Sequence, residues 1–241
     1  MLGIFDSGVG GLTLWREIKK RHPKESLLYF ADTAHMPYGE KSPSEILALT
    51  KLGVQTLLDH GATHILIGCH TIAVHLSQEF INSFSCPFYD IASATLLLAS
   101  SYQKIAVIGT KATIASNFYQ EHLKDRLIAA IACPELAPMI EEGDIHLSVI
   151  KRSLAPLPKE TRAILYGCTH FPFIDPYIAS LTEVKDRLNP ALSLAKILPM
   201  VATCKEDIFL TSGDPEKFYS LASSLLGTKL SFPLSVKSLY Y

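Results

Sequence analysis

The stretch that decides the fold lies at the start of the chain: Leu2-Gly3-Ile4-Phe5-Asp6-Ser7-Gly8-Val9-Gly10-Gly11. A short apolar run passes into a glycine-rich turn, and an amphipathic segment of helical length follows over 12–21. That segment carries basic residues in its last turn, where cations suit the helix dipole, and it stops before Pro23. The order strand, turn, helix predicts the first unit of a parallel α/β sheet.

The same order recurs along the chain. Further buried strands are predicted at four short apolar runs, 27–30, 65–67, 105–108 and 164–165. Helices are predicted over 44–60 and 116–123, and the tail over 209–226 is predicted to form a final strand and turn followed by a helix. Strands that alternate with helices predict a parallel sheet covered on both faces.

Two segments of the chain resemble each other. Leu66-Ile67-Gly68-Cys69-His70-Thr71 is similar to Leu165-Tyr166-Gly167-Cys168-Thr169-His170, and the opening strand and turn are echoed more faintly over 107–110. Each segment has a cysteine just past a strand. The repetition predicts two pseudo-symmetric parallel-sheet α/β domains, the first made of residues 1–92 and 204–241 and the second of residues 93–203.

Composition excludes several classes of protein. The chain has 241 residues, and its 22 basic and 23 acidic residues leave a formal charge of −1, which argues against a nucleic-acid partner. No apolar run approaches the ~18–20 residues that cross a bilayer, so no membrane association is expected. The five cysteines form no CxxC pair and are an odd number, which argues against a disulfide framework. We expect a cytoplasmic protein, because the chain opens without a signal-type segment.

Ligand sites in α/β sheets lie outside the carboxyl ends of the strands. The free N–H groups of the turn over 6–11 suit an anion such as a carboxylate or phosphate. Its Gly8-x-Gly10 spacing, with Asp32 after the next strand, also weakly suggests a dinucleotide site, although Thr13 replaces the third glycine.

Two further loops offer groups for an anion. Pro37 stiffens a loop that can present the backbone amides of Tyr38 and Gly39 to a ligand. The hydroxyls of Thr110 and Thr113 suit a carboxylate, although Thr113 alone would be taken as a helix cap.

Cys69 and Cys168 are the strongest candidates for chemistry. A thiolate is a competent base, and both cysteines precede a predicted helix whose N-terminus would lower the thiol pKa. A disulfide between them, or zinc held by both and His170, stays open as an alternative, as does His170 as a core histidine. The cysteines expected to be inert and buried are Cys86, Cys133 and Cys204.

Taken together, these sequence segments resemble those of the glutamate racemases. The matching segments follow the family's order over nearly the whole chain: 3–13, His35 with Pro37-Tyr38-Gly39, Gly109-Thr110 with Thr113, Cys133-Pro134 with Glu141-Glu142-Gly143, Gly167-Cys168-Thr169-His170, and Thr211-x-Gly213-Asp214-Pro215.

The resemblance implies an active site in the cleft between two α/β domains, a homodimer, no cofactor and no metal. It implies interconversion of L- and D-glutamate for peptidoglycan synthesis, with Cys69 and Cys168 as acid and base on opposite faces of the substrate α-carbon. Asp6 and His170 would assist them. The residues implied to bind substrate are Ser7, Pro37, Tyr38, Gly39, His70, Thr71, Thr110, Thr113, Glu141 and Thr169.

The chain departs from the family at one position in this set. The family usually has Cys-Asn-Thr at the first cysteine, and here His70 stands between Cys69 and Thr71. Histidine titrates near neutrality, so His70 could change affinity, substrate choice or the response to pH. Two alternatives follow: a racemase of aspartate or another carboxylic acid, and a degenerate member that acts mainly as a binding protein.

Overall fold

A computed structural model describes residues 1–199 and 205–236, which form two parallel sheets. The larger sheet has the order β10-β9-β2-β1-β3-β4. Its strands are β1 (Leu2–Asp6), β2 (Leu27–Ala31), β3 (His64–Ile67), β4 (Phe88–Asp90), β9 (Ile208–Thr211) and β10 (Leu234–Ser235). The smaller sheet has the order β6-β5-β7-β8. Its strands are β5 (Ile105–Gly109), β6 (Leu127–Ala132), β7 (Ala163–Gly167) and β8 (Asp186–Leu188).

The two sheets repeat one arrangement, as predicted. The order β2-β1-β3-β4 in the larger sheet matches β6-β5-β7-β8 in the smaller one, and all of these strands pair in parallel. The two segments that resemble each other in sequence therefore contain the carboxyl ends of β3 and β7, and these strands occupy equivalent places in the two sheets. The fold class of two pseudo-symmetric α/β domains is confirmed.

Helices connect the strands. Those of the first part of the chain are α1 (Leu12–Arg21), α2 (Pro43–Asp59), α3 (His70–Ala73), α4 (Gln78–Asn82) and α5 (Ile91–Ala99). Those that follow are α6 (Lys111–Ala115), α7 (Phe118–Leu123), α8 (Leu136–Glu142), α9 (Leu147–Leu154), α10 (Asp175–Leu181), α11 (Pro190–Ile197) and α12 (Pro215–Leu226). None of the helices in the described ranges is long and apolar enough to span a bilayer.

Local signals explain the main helices. Helix α2 begins at a capping box, in which Ser42 and Glu45 satisfy each other's backbone N–H groups, and has a proline in its first turn. Helix α12 begins after Asp214, whose carboxylate accepts from two backbone N–H groups, and ends at Gly227 in the left-handed conformation. These caps fix the helix bounds close to the predicted ones.

Two predicted elements differ from the structure. The helix predicted over 116–123 begins only at Phe118, because Asn117 adopts a left-handed conformation (φ 58°) that separates α6 from α7. The strand over 208–211 is not the last one, since β10 pairs beside it.

Helix α11 lies in the predicted second domain but packs on the core of the larger sheet with α1 and α5. The predicted boundary at 203/204 lies outside the described residues, as does Cys204, and the division of the chain into 1–92 with 204–241 and 93–203 stays a prediction.

A close contact in the larger core provides a test of this packing. A Cβ added at Gly53 in α2 would come within 2.2–2.7 Å of the Phe5 ring, which is buried and stacked on Phe30. Glycine-to-alanine changes inside helices usually stabilise by about 1 kcal/mol. We expect Gly53→Ala instead to lower the free energy of unfolding by about 1–3 kcal/mol, because the ring has no room to move. Urea unfolding measures the change in the free energy of unfolding. The control is Lys51→Ala on the exposed face of the same helix, which should change that free energy by less than about 0.5 kcal/mol. A stabilised Gly53→Ala would contradict this packing.

Candidate active site

The two sheets bring the carboxyl ends of their central strands to one cavity. Asp6 ends β1, Cys69 follows β3, Thr110 follows β5, and Cys168 follows β7. The cavity between them measures about 60 Å³. The predicted residues that line it are Ser7, Pro37, Tyr38, Gly39, Cys69, His70, Thr71, Thr110, Cys168, Thr169 and His170. Each half of the molecule thus contributes one cysteine to the wall of the same cavity.

Three predicted residues stand one layer behind the cavity wall. Asp6 accepts a hydrogen bond from the Thr169 hydroxyl at 3.1 Å. Thr113 is hydrogen-bonded through its hydroxyl to Thr71 and Thr110. Glu141 reaches the site through His170. Each acts on the cavity through a residue that lines it.

Cys168 lies beside a buried ion pair. Its Sγ is 3.6 Å from Nδ1 of His170, and Nε2 of His170 is 2.7 Å from Oε1 of Glu141. Burial opposes the charged imidazolium, yet Cys168 and the Glu141 carboxylate outweigh burial and raise the pKa of His170 well above its usual value. His170 is therefore charged at neutral pH.

The glycine turn after β1 holds an anion, and that anion belongs to the protein. The backbone N–H of Val9 donates to Oε1 of Glu141 at 2.7 Å. A Cβ at Gly8 would lie 2.0 Å from that same oxygen, and one at Gly10 would lie 2.5 Å from Nδ1 of His170. The glycines are needed because side chains of the second half press against this turn.

Cys69 has a different environment. Its Sγ lies 3.5 Å from the Ser7 hydroxyl. Burial, together with the nearby charges of Asp6 and Cys168, raises the pKa of the Cys69 thiol to about 12. The expectation of a lowered pKa is therefore wrong for Cys69: helix α3 has only four residues, and its N-terminus does not outweigh burial and a neighbouring carboxylate.

Asp6 is the buried acid closest to this chemistry. It accepts from the Gly8 N–H at 3.0 Å as well as from Thr169. Burial raises the pKa of Asp6 to about 6, although the charge of His170 and these hydrogen bonds lower it. Its carboxyl thus titrates close to neutrality.

Three threonine hydroxyls form a hydrogen-bonded cluster at the cavity. The oxygens of Thr71 and Thr110 are 2.9 Å apart, and those of Thr110 and Thr113 are also 2.9 Å apart. Thr71 and Thr110 line the cavity directly. A cluster of hydroxyls on rigid strand ends can donate to a carboxylate.

His70 is neutral in this fold. It is 1% exposed, and burial lowers its pKa to about 3. The expectation that His70 titrates near neutrality is therefore wrong, because nothing charged compensates its burial.

Asp32 holds the loop that carries Tyr38 and Gly39. Its carboxylate accepts from the Tyr38 hydroxyl at 2.6 Å and the Ser212 hydroxyl at 2.6 Å, and it contacts Nδ1 of His35 at 2.8 Å. The carboxylate is fully buried by these partners. It is thus unavailable to a ribose, and the dinucleotide interpretation fails.

Nothing among the described residues supports the remaining alternatives for the cysteines. Cys69 and Cys168 are free thiols, as are Cys86 and Cys133. Within residues 1–199 and 205–236, no group of three His, Cys, Asp or Glu side chains is placed to hold a metal ion. Cys133 is buried outside the cavity wall, with its thiol directed at the carbonyls of Ile131 and Ser153.

Sequence reasoning missed some of the cavity wall. The additional lining residues are Met36, Glu40, Lys111, Pro134, Ala137 and Pro138. Four of these residues are direct sequence neighbours of residues already noted in the sequence: Met36, Glu40, Lys111 and Pro134. Their position in the sequence could therefore have identified them as candidates for the cavity wall. Ala137 and Pro138 lie on α8 and carry no chemical signal of their own.

Comparisons with known proteins identify relatives of this chain. The family model described as Asp/Glu/hydantoin racemase matches residues 13–193. A glutamate racemase of Trichodesmium erythraeum is 33% identical, over 98% of this chain and 97% of that protein. The glutamate racemase of Francisella tularensis, solved with D-glutamate, is 29% identical with a TM-score of 0.89 over 100% of this chain and 98% of that one. The Thermus thermophilus enzyme, solved with β-chloro-D-alanine, is 30% identical with a TM-score of 0.87, over 99% and 96% of the two chains.

The raised pKa of Asp6 predicts a cost to stability. The folded protein binds this proton more tightly than the unfolded chain, whose Asp pKa is 3.8, so stability falls as pH rises from 4 to 6 and the cost is complete above pH 6. We expect Asp6→Asn to raise the free energy of unfolding at pH 7.5 by about 3 kcal/mol, at 1.36 kcal/mol per pKa unit. Urea unfolding at several pH values measures this.

The gain should shrink as pH falls below 6 and vanish below about pH 3, where Asp6 is protonated in both the folded and the unfolded state. The control is Asp125→Asn, which removes an exposed carboxylate and should give no comparable gain. A loss of stability in Asp6→Asn at pH 7.5 would show that the charged carboxylate stabilises the fold.

Proposed function

The chain belongs to the Asp/Glu/hydantoin racemase family and is an amino-acid racemase, and we propose that it interconverts L- and D-glutamate through Cys69 and Cys168. The observation that carries the proposal is that one thiol from each half lines the same cavity. The names of the relatives support glutamate as substrate. We further propose that the D-glutamate serves peptidoglycan synthesis.

Inversion of a stereocentre needs a proton taken from one face of the α-carbon and another delivered to the opposite face. A single base tends to return the proton to the face it came from. Two groups facing each other across the carbon avoid this, provided that one enters as thiolate and the other as thiol. The thiolate sulfur takes the α-proton, the thiol gives its proton to the other face, and the two protonation states are exchanged at the end.

The electrostatics of the two cysteines are suited to opposite protonation states. The imidazolium of His170 lies against Cys168 and favours its thiolate. Burial and the Asp6 charge keep Cys69 as a thiol, with a pKa of about 12. In this state Cys168 is the base and Cys69 the acid.

The reverse reaction needs Cys69 as the thiolate, and Asp6 can assist this. Its pKa of about 6 allows it to take up a proton close to neutral pH, which removes the negative charge that disfavours the Cys69 thiolate. Asp6 and His170 are thus assigned as the groups that help the two cysteines exchange roles.

The α-proton of an amino acid is weakly acidic, so the site must also stabilise negative charge that develops next to the carboxylate. We assign this to hydrogen-bond donors around the cavity, which are worth most where water is excluded. The proposed substrate-binding residues are those of the cavity wall and its support: Ser7, Pro37, Tyr38, Gly39, His70, Thr71, Thr110, Thr113, Glu141 and Thr169.

The proposal is tested by racemisation in D₂O. Purified protein given L-glutamate should produce D-glutamate that carries deuterium at the α-carbon, while the unreacted L-glutamate keeps protium early in the reaction. Circular dichroism follows the enantiomers and mass spectrometry the label. Product that keeps protium, or substrate that takes up label first, would contradict the two-base assignment.

We expect Cys69→Ser and Cys168→Ser each to lose about 10²–10⁴-fold in kcat, because each removes one of the two positioned proton-transfer groups. Cys133→Ser is the matched control: it changes another buried thiol, outside the cavity wall, and should keep wild-type turnover. Full activity in both active-site variants would reject the proposal.

A second substrate is considered because His70 is larger than the asparagine usual in glutamate racemases. The same assay with aspartate distinguishes the two, and a higher kcat/KM for aspartate than for glutamate would assign the chain to that amino acid.

A further inference from the structure

The hydroxyl of Tyr29 is directed into the glycine turn after β1. It donates to the carbonyl oxygen of Gly8 at 2.6 Å, and both groups are buried. A carbonyl oxygen can only accept, so Tyr29 is the donor. A Cβ at Gly11 would lie 2.9 Å from the same hydroxyl, so the turn folds closely around it. Burial and the nearby carboxylates of Asp6 and Glu141 raise the pKa of Tyr29 well above its usual value, which keeps the hydrogen on the hydroxyl.

The bond to Gly8 holds one end of a peptide group whose other end faces Glu141. The carbonyl of Gly8 and the N–H of Val9 belong to the same trans peptide group, and that N–H donates to Oε1 of Glu141 at 2.7 Å. A trans peptide group is planar, and its C=O and N–H point in opposite directions. The hydroxyl that holds the carbonyl oxygen therefore also sets the direction of the N–H.

Glu141 connects this peptide group to one of the two sulfurs. The same Oε1 lies 2.7 Å from Nε2 of His170, whose Nδ1 is 3.6 Å from Sγ of Cys168. The contacts thus run without a break from the Tyr29 hydroxyl in the first half of the molecule to the Cys168 thiol in the second. Linked hydrogen bonds of this kind polarise and strengthen one another.

From these contacts we propose that Tyr29 is a positioning residue for racemisation. By holding the peptide group that it contacts, it directs an N–H at Glu141 and keeps His170 in place beside Cys168. The inference rests on the proposed function, in which Cys168 is one of the two proton-transfer groups. Tyr29 is fully buried and lies outside the cavity wall, so it acts on the reaction through these groups and not through the substrate.

Kinetics provide the first test. Tyr29→Phe removes the hydroxyl and keeps the ring, which packs against Phe209 and Phe218. We expect kcat for glutamate to fall about tenfold, the value of one hydrogen bond, because His170 is then held less firmly beside Cys168. KM should stay within about twofold, since Tyr29 lies outside the cavity wall. Circular dichroism of the racemisation measures both constants.

Tyr166→Phe is the matched control. It removes another buried tyrosine hydroxyl, whose partner Asp175 keeps its bond to Arg187. Both kcat and KM should stay within about twofold of the wild-type values. An unchanged kcat in Tyr29→Phe, or an equal fall in Tyr166→Phe, would overturn the proposal.

A double-mutant cycle separates this role from a merely structural one. Glu141→Ala removes the acceptor of the Val9 N–H and with it the connection between Tyr29 and His170. In that background Tyr29→Phe should change kcat by less than about twofold, because the effects of groups that act through one another are not additive. An equal fall in both backgrounds would show that Tyr29 acts without Glu141, and the proposal would be wrong.

Solution NMR gives a readout that needs no turnover. In protein labelled with ¹⁵N at valine, the Val9 signal is assigned by its absence from Val9→Ala. Its amide proton should resonate far downfield in the wild type, as for a short bond to a carboxylate, and Tyr29→Phe should move it upfield. A wild-type Val9 signal in the ordinary range, or one that Tyr29→Phe leaves in place, would contradict the proposal. Failure of the proposed function is recognised separately, since wild-type protein would then not racemise glutamate, whereas this signal is measured without substrate.

Discussion

One carboxylate oxygen joins the two halves of the molecule. Oε1 of Glu141 accepts from the Val9 N–H of the first half and lies at the same 2.7 Å from Nε2 of His170 in the second. An ionised carboxylate in a buried site needs such partners to offset its desolvation. The pairing also keeps His170 charged beside Cys168. This contact between the halves thus places a charge next to Cys168, and a side chain at Gly8 or Gly10 would collide with the groups that form it.

The symmetry of the backbone does not extend to the electrostatics. β3 and β7 occupy equivalent places in their sheets, and each is followed by a cysteine. Cys168 has an imidazolium as its neighbour, whereas Cys69 has a hydroxyl and a buried carboxylate. The two sulfurs thus have unequal electrostatic environments on equivalent parts of the fold, which supports the proposed assignment of one as base and the other as acid.

The strands that the sequence predicts are those whose residues are buried. The central strands β1, β5 and β7 are buried along their whole length, so their runs of apolar residues identified them in the sequence. The edge strands β4 and β8 are only partly buried and carry no such signal. Residues just after the central strands were found because ligand sites of α/β folds collect there. The charge state of Cys69 and the Glu141 bond to Val9 depend on distances between halves, which no local pattern contains.

Two features of the site are unfavourable for folding. Asp6 is a buried carboxyl whose pKa burial raises to about 6, and Nε2 of His70 is a buried ring nitrogen without a hydrogen-bond partner among the described residues. An unsatisfied buried polar atom costs about 1–3 kcal/mol. Both lie at the carboxyl ends of β1 and β3, where a hydrophobic residue would pack without this cost. One of these costs lies in the cavity wall and the other directly behind it, and folds trade stability for function at their active sites.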